Sequence, residues 1–273
     1  MVVGAMTLIV TGDVAGRLLT AVGFAPFFVA WARFALAVIV LAPFCRLKRE
    51  ELSMLFHPPL ILRACLIAAG VSCILTALKT EDLATVFGAF FVGPIVSFIL
   101  SALLLGEKVT PARACLLLIG FGGVLLVVKP GFGMTTGVLW ALIAGTFHGS
   151  YLVATRWLAG SYRPRFLLFS QLFIGAIVLA PLAISPVPTV TWSAAGLIGV
   201  SALGSALGNL LLVLANRQAE ASVIAPLIYS QIVVATILGL LVFKEWPDVI
   251  ALGGLVIIIA SGLTSLWVAR RQA

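Results

Sequence analysis

The chain has 273 residues, 62% of them hydrophobic and only 10% charged, with a mean hydropathy of +1.24. A water-soluble domain carries about 25% charged residues, so this composition excludes one, and apolar runs without polar alternation exclude the strands of a membrane barrel. The net charge of +8 is spread in short clusters at the ends of apolar runs, which fits a lipid surface and argues against a nucleic-acid partner.

Apolar runs broken by charge, proline and glycine divide the chain into ten predicted spans. Span 1 covers 2–20, is expected to be retained as a span rather than removed as a signal peptide, and contains Asp13 and Arg17. Span 2 covers 26–45 with Arg33 inside it, and a basic loop with Arg46, Lys48 and Arg49 leads through His57-Pro58-Pro59 to span 3 at 60–78. Span 4 (83–105) is uncharged throughout and its Gly93-Pro94 predicts a kink, because proline removes a backbone hydrogen bond. Span 5 covers 111–128, and Lys129-Pro130-Gly131 reads as a helix stop between two halves, 1–130 and 131–273. The second half holds spans 6 (135–157), 7 (165–184), 8 (192–214), 9 (221–243) and 10 (249–268), with a turn at Ser185-Pro186-Val187-Pro188. Pro226 predicts a second helix break, near the start of span 9.

The second half repeats the first at an offset of 138 positions. Val96/Val234, Ile99/Ile237, Leu100/Leu238, Leu103/Leu241 and Glu107/Glu245 are identical, and Phe91 stands opposite Tyr229. With both termini cytoplasmic, twelve Lys and Arg fall on the inner side and four on the outer, which satisfies the positive-inside rule. Five spans per half is odd, so the second copy enters the membrane inverted, and paired helix breaks in inverted repeats point to the binding region of a transporter. The fold class expected is therefore all-α integral membrane, ten transmembrane helices as two inverted five-helix repeats.

The run Ala77–Lys108, closing in Leu-Leu-Leu-Gly-Glu-Lys, with the apolar span after Pro111 and a weaker copy ending Lys244-Glu245-Trp246, resembles the EamA-type module of the drug/metabolite transporter superfamily. The second copy has Lys244 where the first has Gly106. The resemblance spans essentially the whole chain. It implies a secondary transporter of the inner membrane that exports small metabolites, amino acids foremost and aromatic ones among them. Drugs, lipophilic cations and nucleotide-type metabolites are the alternative cargo.

Ionisable groups inside a span are expensive and so point to the transport path. Asp13 and Arg17, four residues apart with the acid first, predict a helical ion pair that either meets a zwitterion or only neutralises itself so that span 1 inserts, with an outward-snorkelling Arg17 as the alternative. Gly145 and Gly149 flank His148 in span 6 as Gly12 and Gly16 flank Asp13 in span 1; close helix approach accounts for the glycines, and His148 is equally readable as core or ligand. Trp140, His148 and Tyr151 form an aromatic and polar stripe. Phe90, Phe91, Tyr229, Gln231 and Asn209 complete the candidate binding set, with Gly93, Pro94 and Pro226 as candidate hinges. Arg33 reads as snorkelling or paired, Gln171 as structural, and Glu107 and Glu245 as caps or gate edges. Cys45, Cys65, Cys73 and Cys115 form no CxxC pair and read as small buried residues, so no disulfide, metal or cofactor is expected. No HExxH or GxSxG is present, which argues against a membrane enzyme, no Walker motif against a pump, and no ring of like charge against a channel. The partners expected are a small-molecule substrate and the bilayer, with a homodimer left open.

Overall fold

A computed structural model describes residues 1–107, 110–128, 135–184, 187–219, 224, 227–246 and 249–272. The described residues are helical with no strand. The helices are α1 (Val2–Ala21), α2 (Pro26–Cys45), α3 (Arg49–Met54), α4 (Pro58–Leu78), α5 (Leu83–Phe90), α6 (Val92–Leu105), α7 (Pro111–Val128), α8 (Thr136–Leu158), α9 (Pro164–Leu179), α10 (Trp192–Gln218), α11 (Ser230–Leu238) and α12 (Val249–Gln272). Seven apolar segments among them are long enough to cross a membrane, counting α5 and α6 as one, and three further apolar helices are shorter. The junction at 129–134 and Pro226 lie outside the described residues.

Helix starts follow the sequence closely. Proline opens α2, α4, α7 and α9, where its missing N–H would be unpaired anyway and its fixed φ is already helical. Thr135 and Thr191 cap α8 and α10, each hydroxyl accepting from the backbone N–H three residues on, at 3.2 Å. The basic loop after span 2 is not wholly loop: α3 forms there, with the Lys48 N–H donating to Glu51 Oε2 at 2.8 Å.

The predicted kink in span 4 is a full break. Pro94 has no N–H to give the Phe90 carbonyl, so α5 ends there and α6 begins at Val92. Phe91 joins the two with its N–H on the Gly88 carbonyl at 3.0 Å. The freed stretch is covered by α8. A Cβ on Gly145 would collide with the Phe90 carbonyl, and one on Gly149 with the Gly93 carbonyl, so only glycine lets the two backbones touch.

The Leu-Leu-Leu-Gly-Glu ending and its counterpart Leu241-Val242-Phe243-Lys244-Glu245 make the same turn. Gly106 sits at φ 64° and Lys244 at φ 60°, both left-handed. The N–H of Glu107 reaches the Ser101 carbonyl at 3.3 Å, and the N–H of Glu245 the Gly239 carbonyl at 3.2 Å, six residues back in each case. Span 9 finishes as a π-helical turn, Gly239–Phe243.

Packing runs across the two halves. α1 lies most extensively against α10, and α4 against α8. α2 packs on α9, and α7 on α12. At the offset of 138 these pairings exchange with one another or map onto themselves. One core of buried aliphatic and aromatic side chains runs through all of them, and a second, smaller one around Cys45, Leu55, Leu60 and Phe166 closes the α3 end. The cysteines are free thiols and only Cys45 and Cys73 are buried; Cys65 is half-buried and Cys115 exposed, against the expectation of four core thiols.

Candidate functional site

Between α1, α4, α8 and α10, with α2, α5 and α11 at its edge, lies a small cavity of about 30 Å³, lined by Asp13, Arg33, Phe90, His148, Asn209 and Gln231 with Ser205 and aliphatic side chains of α1 and α4. Five of the expected binding residues therefore meet at one place: Asp13, Phe90, His148, Asn209 and Gln231.

The expected Asp13–Arg17 pair does not form. Asp13 Oδ1 accepts instead from Arg33 Nη1 at 2.8 Å, and both side chains are 2–3% exposed. Arg33 does not snorkel. Its Nε and Nη2 donate to Ser201 Oγ at 3.0 and 2.9 Å, and Nη2 also to the Gly12 carbonyl at 2.8 Å. A guanidinium buried this deeply needs an anion, and Asp13 is the acid within reach, so burial decides the pairing over helical spacing. Gly12 permits the approach, because a Cβ there would lie 3.0 Å from the Ser201 carbonyl.

Two polar atoms in the cavity have no partner among the described residues: His148 Nε2 and Asn209 Oδ1. The Asn209 amide is fixed, because its Nδ2 donates to the Ser205 carbonyl at 2.8 Å. The His148 ring stands beside Phe90, 5.1 Å between centroids.

Arg17 forms a separate cluster near the end of α1. Its Nη1 pairs with Glu245 Oε1 at 2.6 Å and Nη2 lies 3.7 Å from Asp82, while the guanidinium rests 4.2 Å over the Phe243 ring. Glu245 Oε2 also accepts from the Leu83 N–H at 3.4 Å, at the start of α5. Partial burial raises the Glu245 carboxyl above its ordinary value, with the Arg17 hydrogen bond pulling the other way.

At the other end of the same span, Arg156 Nε pairs with Glu107 Oε1 at 3.4 Å and Nη1 donates to the Asn216 carbonyl at 2.7 Å. Leu83 to Leu105 is 23 residues, or roughly 35 Å of helix, so the two ion pairs sit on opposite sides of the cavity. Glu107 and Glu245 are repeat counterparts, and Arg156 stands one position beyond the counterpart of Arg17. Below the cavity, the fully buried Arg63 donates to Thr155 Oγ1, the Leu167 carbonyl and Tyr151 Oη at 2.9, 2.9 and 3.1 Å. Tyr151 in turn donates to Gln171 at 2.9 Å, which fits a structural Gln171.

The remaining expected residues lie elsewhere. Tyr151 is in the Arg63 cluster, with its ring 5.8 Å from that of His148, and Trp140 is 39% exposed. Phe91 and Tyr229 pack against each other, tilted, with ring centroids 4.9 Å apart, and Tyr229 Oη donates to the Leu117 carbonyl at 3.1 Å. Sequence reasoning missed Ser201, Ser205 and Arg63. The signal for Arg33 was present: spans 1 and 2 together hold one acid for two arginines.

A polytopic helical bundle with a small polar chamber between ion-paired ends is the architecture of a solute transporter, and the chain shows no metal-binding cluster among its described residues. The model of the EamA-like transporter family matches residues 1–129 and again 135–267. The chain belongs to that family and is a transporter, not an enzyme. It is 28% identical over 240 residues to the pseudopaline exporter CntI of Pseudomonas aeruginosa, covering 85% of this chain and 83% of that one. It is 28% identical over 245 residues to the S-adenosylmethionine uptake transporter of Rickettsia felis, covering 87% and 81%. A riboflavin transporter of Brucella anthropi matches at 30% over 138 residues, 50% of this chain and 45% of that one. A solved crystal structure superposes with a TM-score of 0.78 over 99% of this chain and 97% of its own, at 18% identity, which shows the shared fold.

Proposed function

We propose that the protein is a secondary transporter that exports amino acids or closely related metabolites across the inner membrane by alternating access. Ten spans form two inverted repeats, 1–130 and 131–273, with both termini cytoplasmic. The observation that carries the reading is the placement of a small polar chamber between two ion pairs, Arg17–Glu245 and Arg156–Glu107, at opposite ends of Leu83–Leu105. Breaking one pair while the other holds exposes the chamber to one side at a time. Two packings related by a pseudo-two-fold axis can be close in energy, and the exchange of the α1–α10 and α4–α8 contacts under the repeat supports such an axis. The family match to each half in turn supports the same division. Asp13, Arg33, His148 and Asn209 form the binding shell, and the break around Phe91 to Pro94 is the hinge.

Relatives named for export and for uptake share the family, so direction follows from the gradient on the substrate or a coupled ion. The test is counterflow into proteoliposomes at symmetric pH, with amino acids, S-adenosylmethionine, riboflavin and a lipophilic cation on the trans side. Amino acids should accelerate uptake. Acceleration by the cation alone would transfer the assignment to drug export, and linear flux without trans-stimulation would remove alternating access.

A further inference from the structure

We infer that the central cavity holds its substrate by a protonated amine, gripped between Asp13 and Asn209, so that the cargo is an amine-bearing metabolite whose carboxylate, where it has one, is dispensable. This rests on the transporter reading above and narrows it.

The chamber leaves several hydrogen-bond acceptors open. Two charges line it. Arg33 spends all three of its nitrogens on Ser201, Asp13 and the Gly12 carbonyl. It is therefore a poor receptor for a substrate carboxylate. Asp13 spends only Oδ1, and its second oxygen accepts no hydrogen bond from the described residues. Asn209 is pinned through its Nδ2, which leaves Oδ1, a pure acceptor, buried and without a partner. His148 Nε2 is also buried and unpartnered, and it accepts when the other ring nitrogen carries the proton. The chamber thus offers a half-used carboxylate, an orphaned carbonyl and an imidazole nitrogen.

An alkylammonium complements that set. It carries three N–H donors, no acceptor and one positive charge. Its charge meets the free oxygen of Asp13 and its second donor meets Asn209 Oδ1, both as charge-assisted bonds, and the Phe90 ring beside His148 gives the cation an aromatic face. A lone carboxylate entering the same space would place a second negative charge beside Asp13, with the guanidinium already engaged. The rest of the wall (Ile9, Ile67, Val71, Ile74) is aliphatic and matches an apolar tail, which enters as the chamber widens from its roughly 30 Å³.

The probes are therefore L-leucine, its decarboxylated form 3-methylbutylamine and its deaminated form 4-methylpentanoate, each tested on the purified full-length chain by shift of the thermal unfolding midpoint. Leucine and the amine should stabilise to a similar extent and the acid should not. Asn209→Leu removes the acceptor and should weaken amine binding about tenfold or more. Asn209→Asp keeps an acceptor in place and should retain it, which controls for a mere folding defect in the leucine variant. Stabilisation by the acid, or by none of the three, overturns the assignment. A stabilising amine that fails to exchange in vesicles leaves the amine site standing and removes the transport reading.

Discussion

Replacing Glu245 with glutamine tests whether the Arg17 cluster holds its end of the chamber shut. Glutamine keeps the volume and can still accept from the Leu83 N–H, but the charge that Arg17 meets at 2.6 Å is gone. Both side chains are less than a quarter exposed, at 17% and 24%, so the pair is worth more than an open-water contact. A charge-assisted hydrogen bond in such a setting contributes about 2 kcal/mol, which is roughly thirtyfold in the ratio of closed to open forms. Where the closed form dominates, the open population rises by the same factor. Ile74 lines the chamber, so Ile74→Cys in a background lacking Cys45, Cys65, Cys73 and Cys115 gives a reporter. Its modification by a membrane-impermeant thiol reagent from the Arg17 side should speed up about thirtyfold in Glu245→Gln. Arg17→Gln should do the same, and the two together no more than either alone, because they remove one interaction. Lowering the pH on that side should act in the same direction, since the raised Glu245 carboxyl loses its charge first. An unchanged labelling rate, or effects that add, would refute the gate.

Asp13→Asn leaves the Arg33 guanidinium buried without a counter-charge and should destabilise the protein by about 3–5 kcal/mol as well as stop flux. Adding Arg33→Gln should recover much of the unfolding midpoint but no transport; recovery of transport would remove Asp13 from the substrate path. Lys244→Gly should raise the midpoint, because a non-glycine residue at φ 60° is strained by about 1 kcal/mol, and no change would mean the turn relaxes at no cost. Glu51 is bound by Arg163 at 2.6 and 2.7 Å, and that hydrogen bond holds its carboxyl below the ordinary value. A depressed carboxyl contributes stability above its unfolded value near 4.5 that is lost as pH falls through the folded one. The midpoint should therefore drop with acidification below about pH 4.5, and by less in Glu51→Gln; equal drops would show the pair to be inert.

The seven segments long enough to cross a membrane were legible because their signals are local. An uncharged run, a proline at the first helical position and a threonine cap are each read within a few residues. The break in span 4 was legible in kind and displaced in position, since proline affects the carbonyl four residues before it and opens the helix at Phe90. The chamber was half legible. Asp13, His148 and Asn209 stood out as polar groups in apolar spans, but the Arg33 that pairs with Asp13 lies 20 positions on, and the Ser201 that holds Arg33 lies 168 positions beyond that. Arg17 looked like the natural mate of Asp13 on one helix. Glu245, 228 positions distant, could claim it only after the halves had packed. The short helix α3 had no apolar run to announce it.

The lattice of contacts between halves also governs how the chain is made. Neither α1 nor α4 finds its main neighbour in its own half: one waits for α10, the other for α8. A ribosome that has delivered the chain as far as α7 has therefore delivered a set of helices whose glycine-lined and charged faces still look at lipid, Asp13 and Arg33 among them. Those faces are covered only when α8 and then α10 emerge, so quality control has a defined window in which to act. Two separately encoded halves should mature only when made in the same cell, and each alone should be short-lived.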